Sequence, residues 1–230
     1  MVTWAYVSYQ IVGRSSDYES RPLIDGLPRE IEVVANSVAA DAPTHIFAAY
    51  SKANGRISLQ PTHVLFLAVH CVHLPFLPYS KPGIPAEVGS TLTLPIAPLI
   101  VSNIDTLQIL LRYLYTKRED HLYASLLPVA TLNATWSTHK VAEAYAANFT
   151  VQKLLANATR VHSLWLNMKT LGVVDEKLWR CIGRAWERLI VAVAISVMQS
   201  PTQRWAERAQ ASGNPRISVI GGPSNKLFRE

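Results

Sequence analysis

The sequence predicts an α+β fold that is predominantly helical, with few short strands. Three observations point there. Apolar residues recur at helical spacing through most of 138–200. The sharpest helix start in the chain, Ser102 with Asp105, stands directly before a leucine stripe. The stretch that alternates like a strand, 91–101, is interrupted by Pro95 and Pro98. With 230 residues, 49% of them hydrophobic, the chain can bury one real core, since a domain takes roughly 100–200 residues. We read a loosely ordered N-terminal arm over 1–27, a single helical domain over 28–200 and a flexible C-terminal tail over 201–230.

In chain order, residues 1–27 show no sustained periodicity, and Arg21-Pro22 breaks any helix starting there. Ile31, Val34, Ala35 and Val38 recur at helical spacing and predict a helix over 28–40. A second, short helix is expected over 46–50, after Pro43. The apolar run 63–74 fits a buried strand or a buried helix; on a helix, Leu67, Cys71 and Leu74 share a face. No opening β-hairpin is legible before His63. Pro75, Pro78, Pro82 and Pro85 make 75–89 a loop. The segment 91–101 is expected to form at most an edge strand or two short pieces.

The S-x-x-D cap then opens a helix through Leu107, Leu110, Leu111 and Leu114. A short helix over 120–127 is stopped by Pro128, and 129–137 reads as loop. Val151, Leu154, Leu155, Ala158, Trp165 and Met168 form one inward stripe, which Gly172 ends in a left-handed conformation. Asp175 caps the last long helix. Leu178, Ile182, Ala185, Trp186, Leu189 and Val193 are expected to face inward there, and Lys177, Arg180, Arg184 and Arg188 form a basic stripe. Past Pro201 the chain is polar and Gly/Pro-punctuated, with one helical turn expected around Trp205.

Composition excludes several classes. Lysine and arginine number 22 against 16 acidic residues, a formal charge of +6 spread from Arg14 to Arg229. Nucleic-acid binders cluster their charge, so this excess favours solubility or an acidic partner surface. Two cysteines, Cys71 and Cys181, cannot build a disulfide scaffold or paired CxxC half-sites. Residues 1–14 lack the features of a secretory signal, so an intracellular protein is expected, and the sequons at Asn133, Asn148 and Asn157 are read as chance. The most apolar helical run, 189–198, falls short of the about 20 residues that cross a bilayer. No membrane attachment and no cofactor are expected.

Candidate chemistry is sparse. His63, His70, Cys71 and His73 form a cluster of metal-capable side chains, but their spacing matches no common zinc finger. No G-x-S-x-G motif is present, and neither cysteine sits in a nucleophile motif. The stretch 221–226 superficially resembles a phosphate loop, with the wrong spacing. Asp175 and Glu176 are explained by helix capping. Trp165, Trp179 and Trp186, at helical spacing, are expected in the core. The basic stripe reads ordinarily as a solvated helix face; the alternative is a surface for an acidic partner or nucleic acid.

Three ordered segments resemble the BTB/POZ interaction domain. The first is His63-x3-Leu67-Ala68-x2-Cys71-x2-Leu74. The second is Leu94-Pro95 leading to Thr106-Leu107-x2-Leu110-Leu111-Arg112-Tyr113-Leu114-Tyr115-Thr116, and the third is Ala146-x2-Phe149-x-Val151-x2-Leu154-x3-Ala158. Lys117 stands where that family often has glycine. In the second segment the leucines pack inward, and Tyr113 and Tyr115 bury rings while keeping a hydroxyl for a partner.

The segment 94–128, with L-L-x-Y-L-Y-T-K-R before L-L-P, is similar to the fungal clampless-type developmental regulators. So are the L-G-V-x-D-E-x-L-W and A-W-E pieces within 164–187. The resemblance implies a BTB/POZ-like core with a C-terminal helical extension. It also implies a non-enzymatic adaptor in sexual development that binds transcription regulators, extending to the nucleus. Homo-oligomerisation stays open. Lys177, Arg180, Arg184, Arg188, Lys117 and Arg118 are the candidate partner-binding residues. The alternative function is a small basic nucleic-acid-binding protein using the helix over 177–188.

Overall fold

Strands hidden from sequence periodicity organise the first half of the computed structural model, which describes residues 10–11, 27–34, 42–51, 57–80, 87–128 and 136–198. They are β1 (Gln10–Ile11), β2 (Glu30–Val34), β3 (His45–Ser51), β4 (Ile57–Thr62) and β5 (Thr91–Val101), in the spatial order β1-β2-β5-β3-β4. Interleaved and following are α1 (Val64–His70), α2 (Ile104–Thr116), α3 (Glu119–Leu126), α4 (Thr138–Asn148), α5 (Val151–Leu171) and α6 (Glu176–Met198). The fold is α+β and mainly helical.

Both helices expected before residue 51 are strands. In Glu30–Val34, Ile31 and Val33 are buried and Glu30 and Glu32 exposed, the two-residue alternation of a half-buried strand. The helical spacing of Ile31 and Val34 is coincidental, and Ala35 and Val38 lie outside the described residues. Within β3 both faces are covered. Phe47 and Ala49 join the main core beneath the helices, while Ile46 and Ala48 join Ile31, Val33, Leu94 and Ile96 on the other face. A strand buried on both sides shows no alternation, so periodicity could not separate it from a helix. β3 and β4 are antiparallel, Ala48 opposite Leu59, and supply the strand pair before His63 that the sequence conceals.

The largest correction is β5, which is one continuous strand with neighbours on both sides. Residues 91–95 pair antiparallel with β2, and 96–101 pair parallel with β3. Its prolines fit because each nitrogen meets a gap. Ile96 donates to the Arg29 carbonyl at 2.9 Å, so by strand alternation the Pro98 nitrogen turns to the same side, where β2 has already ended. The Pro95 nitrogen turns toward β3, whose ladder begins only at Ile46 opposite Ile96. No ladder hydrogen bond is lost at either position.

Behind the sheet, α2 buries Ile104, Leu107, Leu110, Leu111 and Leu114. Its cap is Asn103 rather than Ser102: the Asn103 side chain accepts from the Thr106 N–H at 3.0 Å, and Asp105 is exposed. A fully buried Asn167 on α5 holds this cap from outside. Its side-chain nitrogen donates to the Asn103 carbonyl (2.7 Å) and Thr106 Oγ1 (2.9 Å), and its oxygen accepts from the Ser102 N–H (2.8 Å). Asn157, further back on α5, donates to the Leu126 carbonyl at the end of α3 (2.7 Å). One helix therefore fixes the beginning of α2 and the end of α3.

Gly172 ends α5 at φ 62°, as the sequence predicts, and a Cβ there would fall 2.5 Å from Val72 Cγ2. Asp175 accepts from the Leu178 N–H at 3.0 Å and caps α6. The residues of the N-terminal arm other than β1 and Leu27, the tail over 201–230 with Trp205, the stretch 221–226, and most of the loop over 129–137 lie outside the described residues.

Candidate interaction surfaces

The six cations singled out from sequence do not share one free face. Lys117 caps α2 at φ 54°, a left-handed conformation in which glycine is the unstrained residue. Its ammonium is held by Asp175 at 2.9 Å, lies 3.5 Å from His70 Nδ1 and sits over the Tyr113 ring at 5.7 Å. Arg118 pairs with neighbouring Asp120. Lys177 reaches Glu119 on α3 at 2.6 Å, and the Arg188 guanidinium lies 5.8 Å from the Tyr123 ring, also on α3. Much of the stripe is thus the seam by which α6 docks α3. Arg180 and Arg184 are exposed, without a hydrogen bond or ion pair among the described residues.

The electrostatics of this seam are those of structure. The Glu119 carboxyl is held below the usual range by its hydrogen bonds from Lys177 and Cys181. Burial pushes Asp175 up, but the Lys117 and Leu178 donors outweigh it and hold the carboxyl low. Burial pushes the Cys71 thiol up to about 11 and raises Cys181 as well, so both stay protonated and unreactive near neutrality. The Tyr115 hydroxyl is used internally, accepting from the His63 N–H at 3.0 Å. That of Tyr113 is buried with no hydrogen-bond partner among the described residues. Neither is presented to a partner as the sequence suggested.

The His63–His73 cluster is dispersed. His63 turns to Tyr115, His70 to Lys117, and the buried Cys71 bridges Val173 through its backbone. Among the described residues no group of three metal-capable side chains converges.

Two surfaces missed by sequence reasoning are apolar. On α1, Leu67 and Cys71 point to the core, and Phe66 stacks on Tyr115 of α2 at 4.4 Å. The opposite face carries Leu65 and Val69, 81% and 73% exposed, and continues past the helix into Val72 and Phe76, the latter 89% exposed. The second surface joins α5 and α6. Trp165 and Trp186, expected in the core, are 37% and 41% exposed, and Leu155 on the same α5 stripe also faces outward. His162 stacks on Trp165 (6.0 Å) and lies 6.2 Å from Trp186, while Trp179 meets Trp165 edge to face at 6.5 Å. The signal was present in the sequence: each helix has more apolar positions than one buried stripe can absorb.

Residues 6–101 match the family model for the Clampless protein 1 N-terminal domain, and residues 120–219 match that for the Clampless protein 1 C-terminal domain. No curated protein and no solved structure matches the chain. Among the described residues no helix is long and apolar enough to cross a membrane. Matched over most of its length by the two domains of that family, the chain belongs to the clampless family of fungal developmental regulators.

Proposed function

We propose that the chain is a non-enzymatic adaptor that controls fungal sexual development, including clamp-cell formation, by binding transcription regulators in the nucleus. The observation that carries the reading is the exposed apolar face of α1 and the segment after it, through Leu65, Val69, Val72 and Phe76. Soluble chains rarely leave large apolar side chains contiguous and bare, and such surfaces mark protein interfaces. The occupant is a transcription regulator presenting a complementary apolar surface. Support comes also from the placement of α1 beside α2 and of the β3–β4 pair directly before α1, which suits a BTB/POZ-like core.

The test is a pull-down from dikaryon-forming cells with the full chain, alongside a Leu65→Asp, Val69→Asp variant. Recovery of a transcription regulator by the parent and its loss with the variant is expected. Recovery of no reproducible partner, or equal recovery by both, refutes the proposal. Sedimentation of the purified chain separates this from self-association: a dimer that the variant dissolves would assign the α1 face to a second copy.

A further inference from the structure

We infer that the segment after α1, residues 73–79, is a polyproline-II ridge that docks into an aromatic-lined groove of a protein partner. The inference rests on the reading of the chain as an adaptor and names the recognition chemistry of this one stretch.

Two triplets carry it, Leu74-Pro75-Phe76 and Leu77-Pro78-Tyr79, each a leucine, a proline and an aromatic ring. Proline fixes its own φ at about −65° and pushes the residue before it into the extended range. Both prolines and both leucines are thereby biased toward polyproline II. The structure gives 73–80 neither helix nor strand, and exposure there recurs at every third residue. His73, Phe76 and Tyr79 are exposed, whereas Leu74, Pro75, Leu77 and Pro78 are partly buried. A strand would alternate at every second residue, and the prolines exclude a helix. A three-residue repeat is that of polyproline II, in which rings on one row stand about 9 Å apart.

The ridge is held to the body of the protein. The His73 N–H donates to the Leu171 carbonyl at 2.9 Å, and the Pro78 carbonyl accepts from Nε2 of the buried His45 at 2.9 Å. Ser80 Oγ donates to the Thr44 carbonyl at 2.7 Å, and Leu74 and Leu77 pack on the main core. The leucine row is thus used by the chain itself. What remains outermost is the ring row, with Phe76 89% and Tyr79 80% exposed, and the prolines run along its flank. A segment fixed in this way has little conformational entropy left to lose on binding.

That chemistry selects the occupant. Grooves lined by aromatic side chains take polyproline-II segments because the conformation is pre-set and its rings offer flat apolar faces. Addition of the segment to a sheet edge is disfavoured, since the prolines lack two of the donors a ladder needs. Residues 57–80 contain no Asp, Glu, Lys or Arg, so the stretch supplies no cation for anionic lipid or nucleic acid.

The test is binding of the full chain to the complete set of SH3, WW and EVH1 domains of the fungus that encodes it, each purified singly. At least one domain is expected to bind, with affinity falling about tenfold or more in Phe76→Ser or Tyr79→Ser. The melting temperature of Phe76→Ser should match the parent, because that ring projects into solvent. Pro75→Ala combined with Pro78→Ala keeps both rings, removes the backbone constraint and should weaken binding about fivefold. Leu65→Asp should leave it unchanged. Binding by none of the domains, or affinity indifferent to Phe76→Ser or to the paired proline substitution, overturns the inference. So does binding to phosphatidylcholine–phosphatidylserine vesicles that Phe76→Ser abolishes, which would assign the ridge to a lipid surface. If the pull-down recovers a transcription regulator through Leu65 and Val69 while no domain binds, the ridge is wrong and the adaptor reading stands. If a domain binds while the pull-down recovers no regulator, the ridge stands and the regulator falls as the partner.

Discussion

Asn167→Ala should destabilise the protein far more than its small polar side chain suggests. Asn167 is fully buried on α5 and makes three short hydrogen bonds to the start of α2, to the Asn103 carbonyl, Thr106 Oγ1 and the Ser102 N–H. Truncation spares the Asn103 carbonyl, which also accepts from Leu107 and Thr106. The Ser102 N–H is left without its short acceptor. An orphaned buried donor costs about 1–3 kcal/mol and each further bond about 1 kcal/mol, so a loss of about 3 kcal/mol is expected. That is a large share of the about 5–15 kcal/mol by which domains are stable. Urea unfolding of the full chain should show a lower midpoint at unchanged slope, and amide exchange at Ser102 should accelerate before that of the α2 interior. A loss below about 1 kcal/mol, or unchanged protection at Ser102, would refute the clamp.

Four further outcomes follow from the same geometry. Lys117→Gly should be more stable than Lys117→Ala by about 1 kcal/mol in urea unfolding, the reverse of the usual helix order, because both lose the Asp175 bridge and only glycine relieves the left-handed backbone. Gly172→Ala should destabilise strongly, since the new Cβ meets Val72 and His73 at a positive φ; a thermal scan showing no change would contradict the packing. Asp175 and Glu119 have folded pKa values below their unfolded ones, so their stabilisation is full above the ordinary carboxylate pKa and is lost as pH falls through the lowered folded values. Acid unfolding of Asp175→Asn should accordingly be shallower below about pH 4. Cys71 and Cys181, both buried with raised pKa values, should react with a thiol reagent in the native state far more slowly than after unfolding.

Helices α2, α5 and α6 were legible because each repeats an apolar stripe for several turns, with Gly172 and Asp175 marking a boundary; the break between α4 and α5 at Phe149 and Thr150 was not read from the sequence. Nor were the strands. β2 offers only four alternating positions, β3 is covered on both faces, and β5 carries two prolines whose tolerance depends on where β2 ends and β3 begins. That information is tertiary. The cations fared likewise: a stripe at helical spacing is visible in sequence, but Glu119 and Tyr123, which occupy Lys177 and Arg188, arrive from a different helix. The tryptophans were misassigned because spacing shows that residues share a face, and only packing shows which apolar face is covered.

The family's two matched stretches leave a gap, 102–119, and the fold gives that gap physical meaning. It contains α2, whose leucines share one core with Phe47 and Leu99 from the first stretch and with Leu154, Leu164 and Leu189 from the second. At its start Asn167 closes the cap from α5, and at its end Lys117 reaches Asp175 ahead of α6. Each matched stretch therefore contributes one wall of a core whose filling lies between them. Substitutions in α2 should weaken both the α1 face, through the Phe66–Tyr115 stack, and the α5–α6 face, through Asn167. A surface variant such as Leu65→Asp or Trp186→Ala should affect one face alone. That asymmetry separates residues that build the scaffold from those that meet a partner.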